Sequence, residues 1–473
     1  MSITFAEACQ DPNLLGPWFQ GGTWATWRVI DKALFGEPLD DAELAVFKAL
    51  TGRDEAPTER ASEAWVIAGR RSGKDVKAAA IVTYLATIGA EIQNFASFLT
   101  RGERGVVQLL AVDRQQAQVC LGYVRAMFEQ PILAKMVAKV TADGLELTNR
   151  LAIEITTNDR RRVRGRTVVA AVLDEVAFWK SDATVNPDDE VYAAIKPAMV
   201  TIPGAMLIGI SSPYARRGLL WRKFKKHFGK SGNVLVVKAP TWVMNPTIQR
   251  EGDFLAEAYA DDPMAAAAEF GAEFRSDIEA FVTREVVEAC VTPGVFERPY
   301  NSAHRYTAFV DPSGGSSDSM TLAIAHREGE AVILDAIRER KPPFSPDAVV
   351  AEFCATVKAY GAREVTGDRY GGEWPREAFR KAGVNYRLAD KTRSDLYRDL
   401  LPPLNSGRAE LLDSDRLINQ IVTLERRVAR GGKESIDHAP GGHDDLANAV
   451  AGALDAVKTT HRGFTEQALA GWY

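Results

Sequence analysis

The chain has 473 residues, enough for two or three ordinary domains, and its 46% hydrophobic and 26% charged residues are a globular balance. The formal net charge of −5 excludes a global basic field, so any DNA contact must be a local patch. The four cysteines are scattered, which excludes a zinc ribbon or disulfide framework and fits a reducing cytoplasm, and no apolar run reaches the length of about 18 residues that a membrane span needs.

Residues 1–60 are predicted to be a helical lead-in. Aromatic and aliphatic residues recur between Trp18 and Leu34 at near-helical spacing, which indicates core packing more than a ligand site. Thr51-Gly52-Arg53 then precedes a polar loop. Arg53 is a candidate for lying over a nucleotide base, and a solvated surface arginine is the alternative that the same spacing allows.

The stretch from Trp65 to Asp75 has the layout of a phosphate-binding loop. A short apolar strand enters a Gly/Arg/Ser loop, the loop closes on Gly73-Lys74, and helix-forming residues follow. In this layout backbone N–H groups and a helix N-terminus face the anion, and the lysine reaches the β- and γ-phosphates. Two positions depart from the usual pattern: Ala68 replaces its first glycine, and Asp75 replaces the Ser or Thr whose hydroxyl binds Mg²⁺. Alone, the stretch could be an ordinary turn that opens a helix.

Residues 61–275 are predicted to be one α/β domain, because strands and helices alternate as they do around a mainly parallel sheet. An apolar strand begins at Val168 and ends in Asp174 and Glu175. In nucleotide hydrolases the first such carboxylate holds Mg²⁺, and the second orients and polarises the attacking water. Acids at a strand end can be merely solvated, but their pairing with the glycine–lysine loop favours a hydrolase.

Hydroxyl and basic side chains near this strand are further candidates. Ser211 and Ser212 end another apolar strand, where they would sense the γ-phosphate or cap the turn before a proline. Five arginines lie from Arg160 to Arg166. They could contact DNA phosphates, supply an arginine finger or simply form a solvated loop. The basic segment 216–230 carries two aromatic residues, and fits either a DNA-backbone contact or a solvated helix face.

The C-terminal part of the chain is predicted to be a second domain. Residues 276–304 contain Pro and Gly among polar residues and are predicted to be a linker. A second α/β pattern follows over residues 305–457, and a polar tail covers residues 458–473.

Acidic residues mark the strand ends and the last helix of this second pattern. Asp311 and Asp368 each end a predicted strand, and Asp444 and Asp445 open the final helix. If they converge in space, they gather the hard oxygen ligands that Mg²⁺ and Mn²⁺ prefer. Two such ions about 3.5–4 Å apart can clamp the attacking and leaving oxygens of a phosphodiester. Each acid alone could instead be a turn or helix-cap aspartate.

In this order the motifs resemble those of the large terminase subunits of tailed bacteriophages, over nearly the whole chain. The ATPase motifs that carry the resemblance are Thr51-Gly-Arg53, Gly69-Arg70-Arg71-Ser72-Gly73-Lys74, Arg164-Gly165, Leu173-Asp-Glu-Val-Ala-Phe-Trp179 and Ile210-Ser-Ser-Pro213. The nuclease motifs are Val310-Asp-Pro-Ser-Gly314, Gly367-Asp368 and His443-Asp-Asp-Leu-Ala-Asn-Ala449. No single motif suffices, but their joint order is highly specific.

The resemblance implies two enzymatic domains. The first would be an N-terminal P-loop ATPase of the additional-strand, conserved-glutamate type, a motor that pumps double-stranded DNA into a procapsid through the portal. The second would be a C-terminal ribonuclease-H-like nuclease that cuts concatemeric DNA. The implied cofactors are ATP with Mg²⁺ for the motor and two Mg²⁺ or Mn²⁺ ions for the nuclease.

The resemblance also assigns roles in the ATPase. Lys74 would hold phosphates, Asp174 would hold Mg²⁺, and Glu175 would activate water. The hydroxyls of Ser211 and Ser212 would couple hydrolysis to movement. The candidates for an arginine finger are Arg70, Arg71 and Arg164.

In the nuclease, Asp311, Asp368 and Asp444 would be the metal ligands, with Asp445 as a helper. Asp75 departs from the ATPase pattern, since a carboxylate can ligate Mg²⁺ but also adds negative charge beside the phosphates. Our hypothesis is that Asp75 is a tolerated metal ligand and that the ATPase is active.

The partners that the family implies are double-stranded DNA, the portal protein of the procapsid and a small terminase subunit. The family also implies a homo-oligomeric ring of five copies on the portal, although the isolated chain can be a monomer. The expected location is the host cytoplasm at the portal vertex, with no membrane contact and no place in the mature virion.

Two other interpretations remain open from the sequence. The protein could be a docking subunit that bridges portal and DNA with an active nuclease and an ATPase impaired by Asp75. It could also be an ATPase-nuclease of defence or repair. The presence of both carboxylate sets speaks against the first, and the lack of a second motor lobe between the phosphate loop and the nuclease speaks against the second.

Overall fold

The computed structural model describes residues 3–157, 165–179, 187–316, 318–368, 374–428, 434–440 and 442–459. The chain divides into two compact units, with the boundary between Ser276 and Asp277. None of the helices within the described ranges combines the length and hydropathy that a membrane crossing requires.

The first unit is built on an eight-stranded sheet. Its strands are β1 (Glu63–Ala68), β2 (Gly105–Ala111), β3 (Val137–Thr141), β4 (Gly144–Leu147), β5 (Leu151–Thr157), β6 (Thr167–Asp174), β7 (Met206–Ser211) and β8 (Val234–Ala239). Six of them run parallel in the order β5-β2-β6-β7-β1-β8, and β3 and β4 extend one edge as antiparallel strands. The parallel sheet that alternation predicted is therefore confirmed.

Twelve helices of the described residues belong to this unit. They are α1 (Phe5–Ala8), α2 (Ala25–Phe35), α3 (Asp41–Thr51), α4 (Lys74–Ala86), α5 (Ile88–Gln93), α6 (Arg114–Met127), α7 (Pro131–Ala134), α8 (Pro187–Met199), α9 (Gly218–His227), α10 (Thr241–Met244), α11 (Asp253–Asp261) and α12 (Pro263–Glu269). Short 3-10 turns lie at Gly16–Trp18, Gly22–Trp24, Phe95–Phe98 and Val176–Phe178. Local sequence explains some of the ends: α3 starts in a capping box between Asp40 and Glu43 and ends at Gly52, which has a positive φ of 66°.

Helices cover both faces of the sheet, because its central strands are apolar without alternation. Every residue of β1, β2 and β7 is buried. The helical lead-in packs in the core on one face, where Trp27, Leu34 and Phe47 are buried with residues of α4. The aromatic spacing of the lead-in is thus core packing, as the sequence indicated.

The second unit holds two sheets. Its strands are β9 (Ile278–Ala280), β10 (Thr307–Asp311), β11 (Met320–Glu328), β12 (Ala331–Arg340), β13 (Glu364–Gly367), β14 (Asn385–Leu388), β15 (Ala409–Glu410), β16 (Leu424–Val428) and β17 (Glu434–His438). Its helices are α13 (Arg284–Glu288), α14 (Pro346–Ala359), α15 (Trp374–Lys381), α16 (Arg393–Asn405), α17 (Asp415–Thr423) and α18 (Asp445–Thr459).

The larger sheet has the order β14-β13-β10-β11-β12-β15, and β17-β16-β9 form the smaller one. An antiparallel meander, β10 to β12, is extended by β13 and β14 parallel to β10. This is the strand arrangement of the ribonuclease-H-like fold that was expected for this part of the chain. Helix α18 lies against β10, where a Cβ at Gly452 would come within 2.3 Å of the Phe309 ring, so only glycine permits this close approach.

The linker expected at residues 276–304 does not hold for its first half. Residues Ile278–Ala280 pair with β16, and Phe281, Val282 and Val287 are buried in the core of the second unit. Proline and glycine suggested a loop. The apolar side chains of this stretch are instead buried, because removing them from water stabilises the folded unit.

Candidate functional site

Three parallel strands bring the predicted ATPase residues to one edge of the first sheet. In the register of the sheet Ile67 of β1 pairs with Ser211 of β7, and Asp174 of β6 pairs with Ile210. Strand β7 therefore lies between the strand that enters the loop and the strand that carries the carboxylates. This inserted strand defines the additional-strand type of P-loop sheet.

The loop between β1 and α4 is held by contacts to its own backbone carbonyls. The Trp27 indole donates to the Ser72 carbonyl at 2.7 Å, and the Asn245 amide donates to the Arg71 carbonyl at 3.1 Å. Gly73 has a φ of 80°, and a Cβ there would lie 2.7 Å from the Trp24 ring. A Cβ at Gly69 would lie 2.3 Å from Thr241 Oγ1. Both glycines are thus required, and the amides at the start of α4 are left without intrahelical acceptors, available to an anion.

Lys74 and Glu175 meet at the centre of this edge. Lys74 Nζ lies 2.6 Å from Glu175 Oε1 and donates to Ser212 Oγ at 2.6 Å. The other oxygen, Glu175 Oε2, accepts from Ser211 Oγ and from the Ser212 amide, both at 3.1 Å. Both serines are buried. The predicted phosphate lysine, water-activating glutamate and coupling hydroxyls therefore form one hydrogen-bonded network.

The backbone of Glu175 is strained. Its φ of 49° lies in the left-handed region, which costs a non-glycine residue roughly 1–3 kcal/mol. Its amide donates to the Ile210 carbonyl at 2.7 Å, so the neighbouring strand fixes this turn. The conformation directs the carboxylate back toward the loop instead of along the sheet.

Asp174 lies deeper than Glu175. It is fully buried, its Oδ2 accepts from Gln116 Nε2 at 3.3 Å, and its Oδ1 has no hydrogen-bond partner among the described residues. Burial, followed by the charges of Glu175 and Asp75, raises the pKa of the Asp174 carboxyl to about 7. This carboxyl fits a cation ligand. A bound cation would give the buried oxygen a partner and would offset the cost of burying the negative charge.

Asp75 lies at the first turn of α4, half-buried beside Lys74. Burial raises the pKa of its carboxyl, the Lys74 charge opposes this, and the Glu175 charge adds to it. The Ser72 hydroxyl is buried without a partner in the described part of the chain. Asp75, Ser72 and Asp174 are therefore the oxygen donors of this centre that fit Mg²⁺.

A cavity of about 620 Å³ opens at this edge, within the size range of small-molecule sites. Its lining consists of Arg70, Arg71, Ser72, Gly73, Lys74, Asp75, Val76, Val112, Asp113, Gln116, Tyr123, Glu175 and Phe178. Asp113 and Gln116 were not predicted. They follow β2, whose carboxyl end lies at the same edge, so the rule that ligands bind at parallel strand ends could have found them.

Arg53, predicted as a nucleotide-binding residue, is not among the residues that line this cavity. Its guanidinium is buried and donates to the carbonyls of Gly232 and Val234. Val234 pairs with Glu63 at the amino end of β1, the edge opposite to the loop. Spacing along the chain could not show that the residues after α3 lie at the amino edge of the sheet, away from the phosphate loop.

The basic candidates differ in placement. Arg70 and Arg71 are exposed at the cavity, and Arg70 lies 3.4 Å from Glu269. Arg164, with most of the arginine-rich run, lies outside the described residues. In the basic segment, Trp221 and Phe224 are partly buried and pack against Phe274, so part of each ring serves the core of the first unit.

The second predicted site forms at the end of β10 and β13. These parallel strands pair Val310 with Gly367, so the following residues, Asp311 and Asp368, are neighbours at the carboxyl edge. Helix α18 contributes Asn448, whose amide donates to Asp311 Oδ2 at 2.9 Å and to Asp368 Oδ2 at 3.3 Å. Asn448 was missed from the sequence, although it lies one helical turn after the paired aspartates.

Asp444 and Asp445 have different surroundings despite being adjacent. Asp444 is buried, its Oδ1 accepts from Arg393 at 3.0 Å, and its Oδ2 accepts from the Tyr397 hydroxyl at 2.8 Å. Asp445 Oδ2 is buried without a partner among the described residues. The two acids therefore differ: Asp445 keeps a buried unpaired oxygen that fits a metal ligand, whereas both oxygens of Asp444 are bonded to Arg393 and Tyr397.

The charges of this centre favour a cation. Burial raises the pKa of the Asp311 carboxyl well above its ordinary value, and the charges of Asp445, Asp368 and Asp444 raise it further. Burial and the Asp444 charge raise the pKa of Asp445 to about 6. Asp445 Oδ2 and Asn448 Oδ1 have no partner among the described residues, and together with the carboxylates of Asp311 and Asp368 they are hard donors that suit Mg²⁺ or Mn²⁺.

Comparisons with known proteins agree with this description. The family described as "Uncharacterized protein MJ0330, N-terminal P-loop domain" matches residues 37–272. The first unit is thus a P-loop domain of the additional-strand type. No curated protein matches the sequence.

Solved structures that match this chain include large terminases. The large terminase of the HK97 bacteriophage has 18% identity and a TM-score of 0.37, and the match covers 91% of this chain and 99% of that one. The large terminase nuclease of the thermophilic phage G20c with bound magnesium has 16% identity and a TM-score of 0.33, over 37% and 98%. The large terminase of a thermophilic bacteriophage in complex with ADP has 11% identity and a TM-score of 0.37, over 84% and 94%. At such low values we take no function from these neighbours.

Proposed function

We propose that this protein is a viral DNA-packaging motor that hydrolyses ATP in its N-terminal unit and cleaves DNA with two metal ions in its C-terminal unit. The observation that carries the proposal is the network of Lys74, Glu175 and Ser212 at a phosphate loop. The same chain contains a ribonuclease-H-like sheet with Asp311 and Asp368 at adjacent strand ends.

In the ATPase step, the loop amides and Lys74 would bind the β- and γ-phosphates, and Asp174, Asp75 and Ser72 would hold Mg²⁺. The ion would neutralise charge that develops on the phosphates. Glu175 would orient the attacking water and accept its proton, once the Lys74 ammonium has moved from this carboxylate to the phosphates. Because Ser211 and Ser212 bond the same carboxylate, hydrolysis would change the contacts at the end of β7, which gives a route from chemistry to movement.

In the nuclease step, Asp311, Asp368 and Asp445 would hold two Mg²⁺ or Mn²⁺ ions, which supply Lewis-acid stabilisation of the cleaved phosphodiester. Asn448 would keep the first two carboxylates in place through its amide. Arg393 and Tyr397 would hold Asp444 so that it does not compete for the ions.

The partners follow from the same proposal. Double-stranded DNA would be both the cargo and the substrate, and a portal protein with a ring of five copies of this chain would hold the motor. A small terminase subunit would select the DNA. The site of action would be the procapsid portal in the host cytoplasm, and the protein would be absent from the mature virion.

The direct test is packaging in vitro with the cognate procapsid and portal. We expect ATP-dependent protection of linear DNA from added DNase with the wild-type chain and loss of protection with Glu175→Gln, whose side chain has the same shape. Asp311→Asn should still protect a linear DNA that needs no cutting. If the DNA is protected equally with and without ATP, the proposal of an ATP-driven motor is wrong.

Asp75 supports the alternative of a docking subunit with an active nuclease and an impaired ATPase. Against this alternative, Asp75 lies beside Lys74, whose charge opposes the rise that burial causes in the pKa of the Asp75 carboxyl, and a carboxylate there can ligate Mg²⁺. The variant Asp75→Thr is expected to change ATP turnover by only a few-fold. A near-inactive parent that gains strongly on this substitution would establish the docking alternative.

A further inference from the structure

A cluster of two histidines and a glutamate lies in the second unit, formed by residues that the nuclease chemistry does not use. His304 belongs to the turn before β10, and His326 and Glu328 lie on one face of β11, two residues apart. His304 Nε2 lies 3.2 Å and His326 Nε2 lies 3.3 Å from the same atom, Glu328 Oε1. The three ligand atoms lie within 4.8 Å of one another.

A fourth residue, Asp335, orients the buried ring. Its Oδ2 lies 2.7 Å from His326 Nδ1, and the two side chains are 1% and 5% exposed. A bulge in the pairing of β11 with β12 brings Asp335 to this ring. Ile324 pairs with Ala336 and Ala325 with Leu334, so Asp335 is the extra residue of the bulge. A histidine that ligates a metal typically donates its other ring N–H to such a carboxylate.

The contacts of His326 cannot all be satisfied by a neutral ring. A neutral imidazole carries one N–H and can donate either to Asp335 or to Glu328, not to both. With the proton on Nδ1, where the 2.7 Å contact is short, Nε2 presents a lone pair toward the Glu328 carboxylate. A cation bound to both resolves this repulsion.

The distances are long for charge-assisted hydrogen bonds and are compatible with a shared ion. A charge-assisted N–H···O bond is about 2.7–2.9 Å long. Zinc binds imidazole nitrogen and carboxylate oxygen at about 2.0–2.2 Å, so two ligands of a tetrahedral zinc lie about 3.3–3.5 Å apart. The separations of 3.2 and 3.3 Å fall near the second value.

We propose that His304, His326 and Glu328 bind a Zn²⁺-class transition-metal ion, with Asp335 orienting His326. Nitrogen-rich donors select such a metal, whereas the all-oxygen nuclease centre selects Mg²⁺ or Mn²⁺. Glu328 is half exposed, so the fourth position faces water. The ion would fasten the turn before β10 to the β11–β12 hairpin, at the end of β10 opposite to Asp311.

The site is already organised by its own surroundings. Asn301 closes the turn through its amide to the Tyr306 hydroxyl at 2.9 Å, and its carbonyl accepts from the His304 amide at 3.1 Å. On the other side Arg298 donates to the Leu334 carbonyl at 2.6 Å and its amide donates to the Asp335 carbonyl at 2.8 Å. Little reordering is therefore needed for metal binding.

The test is a titration of the full chain, made without a histidine tag and stripped of metal, with Co²⁺ and then Zn²⁺. The background variant Asp311→Asn reduces binding at the nuclease centre. We expect one equivalent of Co²⁺ to give the intense visible absorption of a tetrahedral site, and Zn²⁺ to displace it. Oxygen-ligated octahedral Co²⁺ absorbs weakly, so the nuclease centre does not imitate this signal.

Matched variants assign the ligands. His304→Ala and Glu328→Gln should abolish the absorption, Asp335→Asn should weaken binding about 10–100-fold, and His227→Ala should leave it unchanged. Thermal melting without metal controls for folding. Because the Glu328 side chain is half exposed, Glu328→Gln should have the same melting temperature as the parent. Absence of the intense bands at equimolar Co²⁺, or their persistence in both His304→Ala and Glu328→Gln, would overturn the proposal.

Discussion

In the N-terminal centre one carboxylate, Glu175, lies against a cation of the chain itself, whereas in the C-terminal centre the acids at the strand ends face one another. Glu175 is bonded to Lys74, and β7 supplies a serine hydroxyl and a backbone amide to it. Asp311 and Asp368 share the amide of Asn448, and the charge of Asp445 lies close by. The contacts of Glu175 can thus hold its geometry without an ion, whereas Asp311 and Asp368 need metal ions to offset the repulsion between the acids.

The largest expected effect separates Asp445 from Asp444 in the nuclease. Asp445→Asn should lower plasmid cleavage on the order of 10³-fold, because it removes a metal ligand worth several kcal/mol. Asp444→Asn should cost only about 10–100-fold, since its oxygens are already held by Arg393 and Tyr397. Single-turnover cleavage with Mn²⁺ measures both, and equal losses would return Asp444 to the ligand set.

The N-terminal unit also depends on a buried cation outside its centre. Lys77 of α4 and Asp31 of α2 form a 2.8 Å ion pair, 1% and 0% exposed, and Lys77 Nζ lies 3.8 Å from the centre of the Phe19 ring. Lys77→Met should destabilise this unit by about 3–5 kcal/mol, because the Asp31 carboxylate remains buried and unpaired.

Urea unfolding followed by tryptophan fluorescence reports mainly this unit, since only Trp374 and Trp472 of the nine tryptophans lie beyond residue 276. The double variant Lys77→Met with Asp31→Leu is the control, and it should recover most of the loss. A single variant that unfolds with the parent would show that the pair contributes nothing.

The pKa of Asp174 predicts a stability that depends on pH in the absence of Mg²⁺. Its folded-state value of about 7 exceeds the ordinary 3.8, so the folded state binds the proton more tightly and its stability falls as pH rises from about 4 to 7. Asp174→Asn should therefore raise the melting temperature by a few degrees at pH 8 and by little at pH 4.

Added Mg²⁺ should reverse this difference in melting temperature at pH 8, because only the parent keeps the Asp174 carboxylate that binds the ion. Protonation of Asp174 should weaken Mg²⁺ binding as pH falls below about 7, since the protonated carboxyl is no longer a ligand. Equal melting of parent and variant at pH 8 without Mg²⁺ would contradict the charge cost assigned to Asp174.

The smallest effect concerns Arg53. Because its guanidinium bonds the carbonyls of Gly232 and Val234 at the opposite edge of the sheet, Arg53→Gln should leave the KM for ATP within about two-fold. It should lower stability by roughly 1–3 kcal/mol, because buried carbonyls lose their donor. A large rise in KM with unchanged stability would restore the nucleotide contact.

Sequence sufficed where function follows from local order along the chain. The strand, glycine loop and Lys74 must be contiguous to bind phosphate, and Asp174-Glu175 must end a buried strand, so both could be predicted. Asp311 and Asp368 were also found, because acids at the ends of parallel strands meet at one edge.

Sequence failed where a distant residue decides the role. Asp444 and Asp445 are equivalent as a motif, and only Arg393 and Tyr397, some fifty positions earlier in the chain, distinguish them. The course of the chain after Arg53 and the burial of Phe281 likewise depend on tertiary packing.

The most direct test of the two-centre account measures ATP hydrolysis and plasmid cleavage side by side. The proteins are the parent, Glu175→Gln and Asp311→Asn, with Mg²⁺ or Mn²⁺. We predict that Glu175→Gln loses about 10²–10⁴-fold in ATP turnover and keeps cleavage, and that Asp311→Asn does the reverse. A parent that cuts DNA without hydrolysing ATP, even with portal and procapsid present, would contradict the account.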